Sequence, residues 1–113
     1  MEILSRKISL QELNTIAKTT FGDMVKAVVD IDRELVAINA ELHSDLEALL
    51  LEDGSQQTHL WGINLYPEIS GDDFIEFDSM INVRPSGGNR SRSVENEAMR
   101  KKIVEVVKKW VTK

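Results

Sequence analysis

The run Arg84-Pro-Ser-Gly-Gly-Asn-Arg-Ser-Arg-Ser93 gathers three arginines and two adjacent glycines and holds no acid. Arginine forks bind phosphate or carboxylate through paired hydrogen bonds. Glycines let a backbone approach a ligand closely, and the free N–H groups at a helix start suit an anion. In this reading Arg84, Arg90 and Arg92 supply charge, and Gly87 and Gly88 give backbone access. Asn89, Ser91 and Ser93 supply neutral donors. The spacing is neither a Walker nor a dinucleotide fingerprint, because the partner glycines and lysine are missing at the required offsets. The plainer alternative is a solvated loop whose arginines tie down Glu76, Asp78 or Glu95.

A second candidate is Glu41-Leu-His43-Ser-Asp45-Leu-Glu47. In a helix His43 and Glu47 share a face at i,i+4; in an extended chain Glu41, His43 and Asp45 do. Either arrangement could place His43 as a general acid or base. A metal site needs a third and fourth ligand, which the spacing does not supply, so no metal and no cofactor are assigned. His59 reads as a surface residue. Asp30, Asp32, Glu76 and Asp78 could pair as carboxylates, but an exposed acidic sheet face is the commoner outcome, and such acids discourage edge aggregation. Trp61 and Trp110 read as core anchors or interface residues.

Charge is unevenly spread. Residues 1–83 carry 5 Lys/Arg against 16 Asp/Glu, a net of −11, and residues 84–113 carry 9 against 3, a net of +6. The sum of −5 disfavours binding to bulk duplex DNA, since the long polyanion is repelled everywhere but the basic part. Half of that net excess, +3 of +6, lies after Ser93, around a final helix whose lysines have a simple account. Glu97 precedes Lys101 and Glu105 precedes Lys109 by one helical turn, the favourable order. Lysines also suit a helix C-terminus.

The elements that must position these groups follow from periodicity. The 113 residues suit one domain spanning 1–113. Ser9 and Glu12 match a capping box ahead of a helix through Phe21, stopped by Gly22. Val25, Ala27, Val29 and Ile31 alternate as a half-buried strand, and Leu35–Asn39 reads as its hairpin partner. Leu42, Leu46, Leu49 and Leu50 return to helical spacing, closed by Gly54. Leu60–Tyr66 is a third strand, followed by a polar loop at Pro67–Asp73. Ile75–Val83 predicts a long fourth strand. Ser93 is expected to cap a last helix whose apolar arc is Met99, Ile103, Val106, Val107 and Trp110. With a short lead-in at residues 2–8, the order is (β)αββαββα. The expected fold is α+β, a mostly antiparallel sheet of four to five strands with three helices mainly on one face. The other face would carry Lys26, Asp30, Asn64, Glu76, Asp78 and Asn82, wholly or partly exposed.

Four stretches occur in a familiar order: residues 22–31 (GDMVKAVVDI), 41–47 (ELHSDLE), 54–64 (GSQQTHLWGIN) and 81–92 (INVRPSGGNRSR). Together they resemble a small prokaryotic protein family classed as a domain of unknown function. The resemblance spans nearly the whole chain and implies a self-contained cytoplasmic domain. It implies no activity, and it assigns no role to any residue.

The absence of cysteine removes disulfides, thiol nucleophiles and thiolate metal sites, and fits a reducing compartment. The N-terminal stretch lacks the apolar region of a signal peptide, and no apolar run is long enough to span a bilayer. A cytoplasmic protein with no membrane partner is therefore expected. The functional expectation is a non-catalytic binding module for a small anionic ligand or an RNA end, held by Arg84–Ser93. One alternative is a small hydrolase or nuclease, with His43 as acid or base and Arg84, Arg90 or Arg92 stabilising developing charge. It requires His43 and the arginine loop to line one cleft. The other alternative is a homo-oligomer, the acidic part of one copy meeting the basic part of another.

Overall fold

Strands form where β-branched and large apolar residues cluster. In the computed structural model, which describes residues 1–113, β3 (Val25–Asp30) pairs along its full length with β5 (Leu60–Leu65). On its other side it pairs with β4 (Leu35–Ile38). Two very short strands extend the sheet: β1 (Glu2–Ile3) beside β4, and β6 (Ile75–Glu76) beside β5. The order is β1-β4-β3-β5-β6, antiparallel throughout. A separate parallel pair, β2 (Ile8–Ser9) with β7 (Val111–Thr112), ties residue 8 to residue 111. The helices are α1 (Leu10–Thr19), α2 (His43–Glu52) and α3 (Glu97–Trp110). None is long and apolar enough to cross a membrane.

The α+β expectation is met, and the capping box is present. Ser9 Oγ accepts the Glu12 N–H at 3.0 Å while Glu12 accepts the Ser9 N–H at 3.4 Å. The helices divide between the faces of the sheet. Leu13 and Ala17 of α1, and Ile103, Val106 and Val107 of α3, pack on the face formed by Val25, Ala27, Val29, Val36, Ile38, Trp61, Ile63 and Leu65. On the opposite face Leu46 and Leu50 of α2 cover Val28, Ala37 and Leu60. That face is therefore not the exposed polar surface expected of it: Asp30, Asn64 and Asn82 are all buried. Val28 interrupts the polar alternation of β3 and gives α2 an apolar seat.

Asp30 is buried because its carboxylate builds the following turn. It accepts the Asp32 and Arg33 N–H groups at 2.9 Å each, and the Ser55 hydroxyl at 2.6 Å. Such local carboxylate-to-backbone bonds favour turns. Arg33 then reaches Ser55 and Asp53, locking the C-terminal end of α2 onto the turn.

The long fourth strand ends after two residues, and Gly62 and Asn82 explain why. Beyond Glu76 the chain crosses over β5 at Gly62, where a side-chain Cβ would lie 2.5 Å from Ser79 Cβ. Only glycine admits that crossing. The chain then turns through a short 3-10 helix, Met80–Asn82. From there the Asn82 amide takes the place of a strand partner: Oδ1 accepts the Gly62 N–H at 2.8 Å and Nδ2 donates to the Gly62 carbonyl at 3.0 Å. The edge of β5 is thus closed by a side chain, which leaves no unpaired ladder there.

Candidate functional site

The arginine loop is built on that crossing. A 3-10 turn at Pro85–Gly87 leads to Gly88, whose φ of +88° demands glycine. The two ends close as an antiparallel bridge, with Arg84 N–H on the Asn89 carbonyl at 2.7 Å and Asn89 N–H on the Arg84 carbonyl at 3.1 Å. Gly88 therefore serves the turn.

Most of the side chains expected to meet a ligand are already engaged. Arg84 donates to the carbonyls of Gln57 and Leu60, at 2.6 Å each, and stacks on the Trp61 ring at 4.2 Å. Burial disfavours its charge, and nearby Glu47 partly offsets this. Asn89 is buried; its amide donates to the carbonyls of Asn82, Ser91 and Ser93 and accepts the Glu95 N–H. Arg92 pairs with Asp78 at 2.7 Å. Ser91 Oγ accepts the Ser93 N–H, and Ser93 Oγ accepts from Arg100. The N–H groups of Arg90 and Ser91 point at an anion, and that anion is the Glu95 carboxylate, at 3.1 and 2.8 Å. Bonds from Ser91 and Arg90 hold this carboxyl below the usual range. The guanidinium of Arg90 makes no hydrogen bond within the chain, unlike those of Arg84 and Arg92. Ser93 does not cap α3 as expected. Asn96 does, accepting the Met99 N–H at 3.0 Å, because the Ser93 hydroxyl is held by Arg100.

His43 opens α2 and lies against the sheet, 8% exposed. Its Nε2 is 2.8 Å from the Ile63 carbonyl. A carbonyl can only accept, so Nε2 carries the proton and Nδ1 is the basic nitrogen. Burial lowers the histidine's affinity for a proton, with the Ile63 carbonyl opposing and Lys26 reinforcing that effect. Asp78 lies near enough to act on the ring's charge and also holds Arg92. No hydrogen bond joins His43 to the arginine loop. No group of three or more His, Asp or Glu side chains is placed to hold a metal.

A different region remains open. A groove of about 1010 Å³ runs between α3 and the segment Pro67–Phe77. Its apolar lining includes Phe74, Ile75, Phe77, Val104 and Val107. One rim bears Glu68, Asp72 and Asp73, and the other bears Lys101, Lys108 and Lys113, with Glu97 and Glu105 among them. No ion pair joins the two rims: Glu68 pairs with Lys18 of α1, while Lys102 and Lys109 of α3 pair with Glu34. The expected Glu105–Lys109 pair does not form, because the tertiary contact at Glu34 draws Lys109 away, and the expected Glu97–Lys101 pair is absent as well. Neither His43 nor any residue of 84–93 lines the groove. Periodicity missed this region. The lysines read as solvation and Pro67–Asp73 as a polar loop, although Ile69 within it was a visible irregularity.

The architecture is an α+β sheet covered by two helices on one face and one on the other, with a groove beside its short edge strand. The chain belongs to a family described as a protein of unknown function (DUF5674), whose model matches residues 2–110. No curated protein and no solved structure matches it.

Proposed function

We propose that the protein is a non-catalytic binding module whose ligand lies in the groove between α3 and Pro67–Phe77. The observation that carries this reading is the apolar lining set between two charged rims that do not pair with one another. Ligand sites are typically concave and mainly apolar, with a few polar groups that fix orientation. The arginine loop is a poorer host, since most of its donors already have acceptors and Glu95 occupies its amide pair.

Anilinonaphthalene sulfonate, an apolar ring system with one negative charge, is a direct probe. In a two-dimensional NMR titration it is expected to move the amides of Phe74, Phe77, Val104 and Val107, and Val104→Glu is expected to abolish those shifts. Inorganic phosphate is titrated in parallel. Dye-induced shifts spread evenly over the molecule would overturn the reading. So would phosphate shifts confined to Arg90–Arg92, which would return the site to the loop.

A further inference from the structure

Resting on that groove as the binding site, we infer that its occupant is a second copy of this chain, which inserts Ile69. Ile69 is 44% exposed, on the acidic rim between Glu68 and the pair Asp72–Asp73. It is an aliphatic knob flanked by carboxylates. The floor at Val104 is the complementary surface, an aliphatic seat flanked by Lys101 and Lys108 one helical turn to either side. Within one chain the knob does not fill its own groove, and Asp72 and Asp73 make no ion pair. Knob and seat border the same groove. A two-fold axis running along the groove places each Ile69 in the other copy's groove, and each acidic rim along the other's lysines. Such an isologous contact closes at two copies and leaves no open end for a filament.

Opposite charges across an interface fix register and speed encounter, and their contribution falls with salt. The uneven charge of the sequence then has a use at close range: rim residues from the acidic part meet lysines from the basic part.

Sedimentation velocity of the full chain over a concentration series, at low and high salt, tests this. A monomer–dimer equilibrium that weakens with salt is expected. Asp72→Lys with Asp73→Lys should weaken association by about tenfold or more, as should Lys101→Glu with Lys108→Glu. Joining all four changes in one chain should restore it, because each rim then meets its new complement. Ile69→Asp should give a monomer whose urea unfolding matches that of the wild type diluted to its monomeric form. A wild-type monomer at every concentration in low salt overturns the inference, as does a dimer indifferent to both charge reversals. If the dye still binds the groove of such a monomer, the binding-module reading survives with a foreign ligand. If the dye does not bind there and the dimer forms elsewhere, both readings fall.

Discussion

The arginine loop and the groove both gather charge and apolar surface, but they use them in opposite ways. In residues 84–95 the side chains of Arg84, Asn89 and Arg92 all meet acceptors of the same chain, the Arg90 guanidinium excepted, and the amide pair at Arg90 and Ser91 is filled by Glu95. Along the groove, acids and lysines face each other across open space without pairing. Buried polar groups are costly unless bonded, so a closed network of this kind defines local structure. Unpaired charges beside an apolar floor cost little while solvated, and they are free to meet a partner. The comparison separates groups that hold the fold from groups left over for a ligand. It predicts that substitutions in the first region change stability and those in the second change binding.

The largest effect is expected at Asn82. Asn82→Ala leaves the Gly62 N–H and the Gly62 carbonyl without these partners, and removes one of the two donors to the Arg92 carbonyl, which keeps the Ser79 N–H. At about 1–3 kcal/mol for each buried orphan, the loss should reach about 3 kcal/mol or more in urea unfolding. A loss below about 1 kcal/mol would mean that water replaces the amide there and that the region is less closed than described. Asn89→Ala removes three donor contacts and one acceptor inside the loop and should cost about 2 kcal/mol.

Arg84→Lys comes next, at about 1–2 kcal/mol, because an ammonium can neither span two carbonyls in one plane nor stack flat on Trp61. Trp61 fluorescence should shift with it. No loss would show that the arginine's charge, not its fork, is what the site needs.

His43 gives a pH test of burial on the α2 face. Its folded-state proton affinity lies below the ordinary histidine value, with burial the main cause. The unfolded chain therefore binds the proton more readily, and stability rises with pH across that window. The contribution is complete above the ordinary value of about 6.5 and is lost as pH falls below it toward the lowered folded value. His43→Gln keeps a donor near Ile63 and should flatten this part of the stability profile. A slope unchanged by the substitution would assign it to other groups.

The smallest effect on stability is expected in the groove. Lys108→Ala should leave urea unfolding within about 0.5 kcal/mol of the wild type, as for ordinary surface positions. A larger loss would show that the lysine already has a structural partner, and would erase the contrast with the loop.

Much of the local structure could be read from the residues themselves. Ser9 and Glu12 specify a capping box whatever surrounds them, and the alternation of Val25, Ala27 and Val29 marks a strand with one face toward a core. The same local signals misled at Ile75–Val83, where alternation continues but the strand does not. Whether Gly62 lets a chain cross above it depends on which segment reaches it, and that segment is seventeen residues further on, at Ser79. The loop shows the same limit. Its residue types suit an anion, but whether those donors are free depends on Gln57, Leu60, Asp78 and Glu95, none of which belongs to Arg84–Ser93.

By itself, then, the sequence determined the α+β class, the helix caps and the presence of an arginine loop, because each rests on contacts within a few residues or on a simple period. Only the tertiary structure decided which charges are consumed and which remain. Hydrogen-bond partners are assigned by proximity in space, and an N–H already donated to a backbone carbonyl or carboxylate is not free for a ligand. Asp78 took Arg92, Glu34 took Lys109, and the rims of the groove were left facing each other unpaired.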